Sequence, residues 1–274
     1  MSAALASRFG IEKAVAEPSP IRRRAYRLFG EIHIPGRIRI YHVFRAIDSL
    51  KLPENGVSLL DAGTGRGDIA LHCARRFPGW KVHGIDLLDD RVERCRTAAK
   101  ALGISNARFS RNDLIALADR SEYDLITSTD VLEHIEDDRH AVANLARALK
   151  PGGLLLLTFP SIPQRKHLRL LDWHDRRTGF TPADIGHVRP GYSPDQIHAI
   201  AREAGLEPVR TQWTYGPFGN LAHDLFVVLG DSKPNPIVFI TALPFLLMLS
   251  FLELRTPTTH GSGLLTILRK PGAP

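Results

Sequence analysis

The residues best placed to do chemistry come in a short series. Asp61 closes an apolar run, and Gly63, Gly65 and Gly67 follow it within "LLDAGTGRGDIAL". Glycine at alternate positions costs backbone entropy, so the spacing implies a tight turn and something that must approach the main chain closely. Asp86 lies 21 residues after Gly65, at the end of the apolar stretch "KVHGIDL". An acid there can accept hydrogen bonds from ribose hydroxyls. Asp68 occupies the position where a dinucleotide-binding loop carries its last glycine. A carboxylate at that helix start repels a pyrophosphate, although it suits the helix dipole. Further on, His134 stands in "LEHI", and His187, Arg189 and Tyr192 stand in "GHVRPGY". The imidazoles and the phenol are candidate proton acceptors, and Arg189 could pair with an acidic group. The plainer reading is a loop held together by its own side chains.

Strands and helices alternate around these residues. "VSLLDAG", "KVHGIDL", "ARFSRND", part of "YDLITSTDVLEHI" and "LLLLTFP" read as five strands. Helical stretches over "GDIALHCARRF", "DDRVERCRTAAKALG" and "DDRHAVANLARALKPGG" fall between them, the last with a Pro-Gly-Gly stop. Such alternation predicts a parallel sheet covered on both faces. "SPDQIHAIAREAGL" is a capped helix with Ser193 as N-cap, "EPVRTQWTY" a sixth strand and "GLLTILRK" a seventh. Before the first strand, residues 21–50 have a helical pattern with a break at Ile34–Gly36, after a loose or briefly helical tail. Residues 161–192 read as a long polar loop, a length that usually carries function or local helices. The expected organisation is an N-terminal helical segment over 1–52 and a domain over 53–274 with a helical insertion at 216–261.

The series of motifs resembles the class I S-adenosylmethionine-dependent methyltransferases. "LLDAGTGRG" is similar to their glycine-rich first motif, "GIDL" to the second-strand acid that holds the ribose, and "RNDL" to the third-strand motif. "YDLITSTDVLEHI" and "LKPGGLLLLTFPS" resemble the fourth- and fifth-strand motifs, all in order over 57–160. The resemblance implies an α/β, Rossmann-like seven-stranded sheet with helices on both faces, its last strand antiparallel between the fifth and sixth. It implies S-adenosylmethionine as cofactor. It also implies cofactor contacts from Asp61, Gly63, Thr64, Gly65, Gly67, Asp86, Leu87, Asn112, Asp113, Leu114 and Asp130. Asp61 would attract the ammonium group and Asp113 would lie near the adenine amino group. Ordinary strand-end capping is the alternative for both acids.

The acceptor half is less defined. The candidate catalytic residues are His134, His187 and Tyr192, and the candidate substrate contacts are Arg37, Tyr41 and Arg189. The chain of 274 residues carries a formal net charge of +7, with arginines crowded at positions 22–24, 27, 37 and 39. That patch suits phosphate groups or an anionic membrane surface, or is simply a solvated helix face. The stretch "PIVFITALPFLLMLSFL", interrupted by Pro244, reads as a buried or interfacial helix pair rather than a membrane span. Arginines and a greasy cap together point to a small, hydrophobic or lipid-linked acceptor, methylated on oxygen or carbon, with peripheral membrane contact. A homodimer interface is the competing use of the apolar insertion. Methylation of RNA is the alternative. Against it stand the missing Asn/Asp-Pro-Pro-aromatic motif, the absence of a suitably placed cysteine, and few aromatics for stacking. A non-catalytic, cofactor-binding scaffold is a second alternative. No spacing calls for a metal. Two cysteines and the lack of a signal-like N-terminus point to the cytoplasm.

Overall fold

The apolar runs pair into one sheet of seven strands. They are β1 (Asn55–Ala62), β2 (Gly79–Asp86), β3 (Ala107–Arg111), β4 (Tyr123–Thr129), β5 (Leu149–Pro160), β6 (Glu207–Thr214) and β7 (Gly263–Arg269). The computed structural model describes residues 10, 12–163, 183, 186–229 and 236–272. Much of the loop expected over 161–192 therefore lies outside the described residues, as does the start of the N-terminal tail. The strand order is β3-β2-β1-β4-β5-β7-β6. β1 to β5 run parallel, and β7 is antiparallel to both β5 and β6. The order reverses between β1 and β4, so the crevice beyond their carboxyl ends is where a ligand finds main-chain groups unoccupied by the sheet.

Neighbouring residues on a strand face opposite sides, and here both sides are apolar. Leu59, Leu125, Leu154 and Leu156 join one buried cluster with α4 (Asp68–Arg76) and α5 (Asp89–Ala101). Leu60, Ile126, Leu155 and Leu157 join the other with α6 (Asp138–Ala148) and α7 (Pro194–Glu203). Burying each such side chain contributes about 2 kcal/mol. Ser193 and Gln196 form a reciprocal capping box at the start of α7.

A third cluster lies outside the sheet. It joins α1 (Lys13–Ala16), α2 (Pro20–Phe29) and α3 (Ile34–Ser49) to the insertion helices α8 (Pro217–Val228) and α9 (Pro236–Glu253). Three expectations are corrected here. The break in the N-terminal helices falls at Gly30–His33, and Ile34, Pro35 and Gly36 instead open α3. Proline suits a first helical turn, and the His33 Nδ1 atom accepts the Gly36 N–H at 3.1 Å. The apolar stretch is one helix running past Pro244, not a pair. The helix before β5 ends at Ala148, so Lys150 to Gly153 belong to the strand, where the Gly152 N–H reaches the Lys270 carbonyl at 2.9 Å.

Candidate active site

The turn after β1 is laced to the end of β2. The Gly63 and Thr64 N–H groups both donate to the Ile85 carbonyl, at 2.9 and 2.7 Å. Gly63, Gly65 and Gly67 all have positive φ, at 77°, 55° and 76°. A Cβ on Gly63 would stand 2.4 Å from Val131 Cγ2, and one on Gly67 would stand 2.9 Å from Leu71 and 3.0 Å from Cys95. A Cβ on Gly65 would meet nothing within 4 Å. The outer two glycines thus satisfy the protein's own packing, while Gly65 borders open space. Asp86 stands beside that space. One of its oxygens accepts the Gly65 N–H at 2.8 Å and the other accepts the Leu88 N–H at 3.0 Å. Leu87, 53% exposed, follows it, and Asn112 and Asp113 lie just past the end of β3. The Asp113 carboxylate is exposed and accepts the Ile115 N–H at 2.9 Å.

Two of the expected cofactor contacts sit elsewhere. Asp61 is 2% exposed. It accepts the hydroxyls of Thr64 (2.8 Å) and Thr127 (2.9 Å) and the Ala70 N–H (3.3 Å). Burial pushes its carboxyl up to about 6. Its place is beneath the loop, which it and Thr64 hold in shape, rather than facing an ammonium. Leu114 is buried in the core against α6, where the Asn144 amide donates to its carbonyl at 2.7 Å.

The loop after β4 brings Asp130, His134 and His187 close together. Asp130 has a φ of +50°, unusual for a residue with a side chain. The Thr158 hydroxyl (2.9 Å), the Thr158 carbonyl and an ion pair with Arg39 from α3 hold it there. A 3-10 turn, Leu132–His134, follows. Glu133 is fully buried, and among the described residues neither carboxylate oxygen has a hydrogen-bond partner. Burial and the nearby Asp130 carboxylate push its acid group up. His134 is exposed, and its Nδ1 atom lies 3.0 Å from the Gly186 carbonyl. A carbonyl only accepts, so Nδ1 carries the hydrogen, and in the neutral ring the lone pair stands on Nε2, which has no hydrogen-bond partner among the described residues. The His187 ring meets His134 edge-on at 4.7 Å, and burial and that neighbour lower its pKa. Glu133, His134 and His187 each offer a ligand atom, all within 4.8 Å of one another. Sequence reasoning passes over Glu133 and Arg39, although Glu133 adjoins His134 and Arg39 lies in the arginine patch.

Tyr192 is corrected from catalytic candidate to brace. It is 3% exposed, and its hydroxyl donates to Asp138 at 2.7 Å, with the Leu132 carbonyl at 3.2 Å. Arg189 is corrected likewise. Its guanidinium pairs with Asp138 and donates to the Ile135 and Glu136 carbonyls at 2.7 and 2.8 Å. Arg37 donates to the Phe29 and Glu31 carbonyls at 2.8 and 3.1 Å, tying down the link between α2 and α3. Tyr41 is half-buried and packs on the core beneath α3.

Residues 36–211 match the family model described as a methyltransferase domain. The chain belongs to this methyltransferase family. The enzyme is an S-adenosylmethionine-dependent methyltransferase. A relative named ubiquinone biosynthesis O-methyltransferase, from Rickettsia canadensis, is 24% identical over 179 residues, covering 65% of this chain and 75% of its own. Among solved structures, a sarcosine dimethylglycine methyltransferase from Galdieria sulphuraria superposes with a TM-score of 0.58 at 17% identity, covering 86% of each chain. Phosphoethanolamine N-methyltransferase 2 of Haemonchus contortus, with S-adenosylmethionine bound, has a TM-score of 0.58 at 18% identity, covering 84% of this chain and 52% of that one. The two structures bear on the fold alone. The methyltransferase's own residues fit the cofactor: Gly65 leaves room at the backbone, and Asp86 is an acceptor at its edge.

Proposed function

We propose that this enzyme methylates a hydroxyl on a small, hydrophobic or lipid-linked acceptor. The observation that carries the reading is the Nε2 lone pair of His134, unpaired among the described residues, oriented by the Nδ1 bond to Gly186 and flanked by the His187 ring. The relative from Rickettsia, named as an O-methyltransferase of ubiquinone biosynthesis, supports the choice of oxygen and of a hydrophobic acceptor. When bound, S-adenosylmethionine supplies an electrophilic methyl group on a sulfonium. Gly65, Asp86 and Leu87 form the cofactor side of the crevice, with Asn112 and Asp113 at its rim. His134 takes the proton of the acceptor hydroxyl, and the neutral His187 keeps a second positive charge out of the site. Asp130, held by Arg39 and Thr158, fixes the start of the turn that carries His134. The same reading puts the protein against a membrane surface on the cytoplasmic side, where its free Cys73 and Cys95 suit a reducing environment.

The test is transfer of labelled methyl from S-adenosylmethionine to a prenylated catechol. His134→Ala should lower kcat by about 10²–10⁴-fold and leave cofactor affinity unchanged by calorimetry. Methylation of amines or RNA with no transfer to hydroxyls would overturn the reading.

A second reading has its own support. The two orphaned oxygens of Glu133, with His134 and His187 in reach, fit a divalent cation better than a buried neutral acid. Those three residues would hold the ion, and it would acidify a hydroxyl brought near it. Dialysis against a chelator separates the two readings. A cation site predicts lost activity that returns with added Mg²⁺ or Zn²⁺, and an imidazole base alone predicts no change.

A further inference from the structure

The helix α9 has no charged residue from Pro236 to Leu252. At 3.6 residues per turn its residues divide cleanly into two faces. Leu243, Leu246, Leu249, Ser250 and Glu253 are buried and point to one side. The leucines pack with Ile34, Ile38, Ala222 and Phe226 in the cluster of N-terminal and insertion helices. The opposite face carries Val238 (41% exposed), Phe245 (48%), Met248 (47%) and Phe251 (41%), with Thr241 and Pro244 between them. A helix on the surface of a water-soluble domain turns a polar face outward. Single exposed apolar residues need no explanation, but a stripe of four large ones on one uncharged helix face marks a surface that something covers.

Charge points to what covers it. Arg255 ends the stripe, and its guanidinium lies 4.1 Å over the Phe251 ring. The helix α2 packs Tyr26 into the same cluster and exposes Ile21 and Leu28 beside Arg24 and Arg27. Arg22 is also exposed and reaches Glu17 at 3.7 Å. Neither helix presents an acid outward: α2 contains none, and the one acid of α9, Glu253, is buried. Glu253 accepts the Gly216 and Gly219 N–H groups at 2.7 and 2.9 Å, so the inner face of α9 is committed to the protein. Exposed apolar side chains interleaved with arginines, on helices with no outward acid, are the chemistry of an interfacial anchor on anionic lipid. A second copy of the chain is the weaker occupant, because a two-fold contact would bring these arginines toward their own symmetry mates. No described helix is long and apolar enough to cross a membrane, in keeping with a helix that lies in the interface.

We propose that the outer face of α9, with the arginine-bearing face of α2, docks the enzyme on an anionic bilayer. The proposal deepens the lipid-linked reading of the acceptor and rests on it for its purpose. Its test needs neither acceptor nor turnover, so the two can fail separately.

The 274-residue chain is sedimented with vesicles of phosphatidylcholine alone and of an equimolar mixture with phosphatidylglycerol. Binding should be about tenfold or more stronger on the mixed vesicles and should weaken with salt. Phe245→Ser/Met248→Ser should lose binding to both. Arg24→Gln/Arg27→Gln should lose the preference for the anionic lipid. Unchanged circular dichroism and cofactor affinity establish that both variants are folded. Equal recovery of wild type in the supernatant with and without vesicles overturns the proposal. So does vesicle binding that the Phe245→Ser/Met248→Ser variant retains. A wild-type dimer that this variant converts to a monomer, with no vesicle binding, overturns it by assigning the stripe to a second copy.

Discussion

Gly63 and Gly65 share a turn and a left-handed conformation, yet they answer to different neighbours. A methyl group on Gly63 runs into Val131, whereas one on Gly65 enters open space. Gly65→Ala should therefore cost only the backbone strain, about 1–2 kcal/mol by urea denaturation, and weaken S-adenosylmethionine binding about tenfold by calorimetry. Gly63→Ala should cost more, about 3 kcal/mol, because overlap adds to the strain. Asp61 makes a prediction about pH. Its carboxyl is raised from 3.8 to about 6 by burial, so the folded state holds a proton that the unfolded state releases first. Its contribution is least unfavourable below about pH 4, and stability is lost as pH rises from there to about 6, on the order of 3 kcal/mol in total. Asp61→Asn should flatten that part of the profile of urea midpoint against pH. An unchanged slope would mean that Asp61 is ionised in the fold throughout. The residue types at 61, 63, 65 and 86 were legible because they lie within one strand–turn–helix–strand unit. The direction each side chain faces was not, since Thr127 and Val131 come from β4 and the turn after it, far along the chain.

Among the elements, the turn after β4 and the chain before α7 depend on each other. Tyr192 and Arg189 converge on Asp138 at the start of α6, and the Val188 N–H donates to the Glu133 carbonyl at 2.9 Å. This brace sets the position of Gly186, and Gly186 sets the His134 ring. Tyr192→Phe should cost about 1–2 kcal/mol in thermal or urea unfolding, since Asp138 keeps Arg189. Its kcat should stay within about threefold of wild type, unlike that of His134→Ala. A loss as large as that of His134→Ala would return Tyr192 to the chemistry. The central strands were readable because both faces of each are apolar and turn residues bound them, whereas β3 and β6 at the edges are largely polar. The N-terminal helix break was misplaced because "IPG" carries a proline and a glycine, and only the His33 cap shows them opening a helix. Pro244 predicts a break on similar grounds, and packing of the inner leucines carries the helix through it.

Across the whole molecule, the N-terminal segment is tied to the cofactor loop by charge. Lys13 pairs with Glu31, which is fully buried, and reaches Asp68 at the start of α4 at 2.9 Å. Both acids raise the Lys13 pKa, although burial alone would lower it. Lys13→Ala leaves a buried carboxylate without its counter-ion and should cost about 3 kcal/mol in cooperative unfolding. Lys13→Met/Glu31→Gln should recover most of it, and additive losses in the two single variants would refute a pairwise bond. Nothing local in the sequence signals this tie, because its members come from three separate segments. The insertion between β6 and β7 has a different relation to the sheet. It leaves at Thr214 and returns at Gly263, and those two residues are paired in adjacent strands. A segment whose ends are neighbours can be exchanged for another without moving either end. The α8–α9 unit is thus a cassette on a hairpin. A replacement of different length and chemistry would meet the sheet at the same rung, with the glycine loop and Asp86 untouched. That makes this fold a natural host for exchanging one pair of apolar helices for another while the rung that anchors them stays constant.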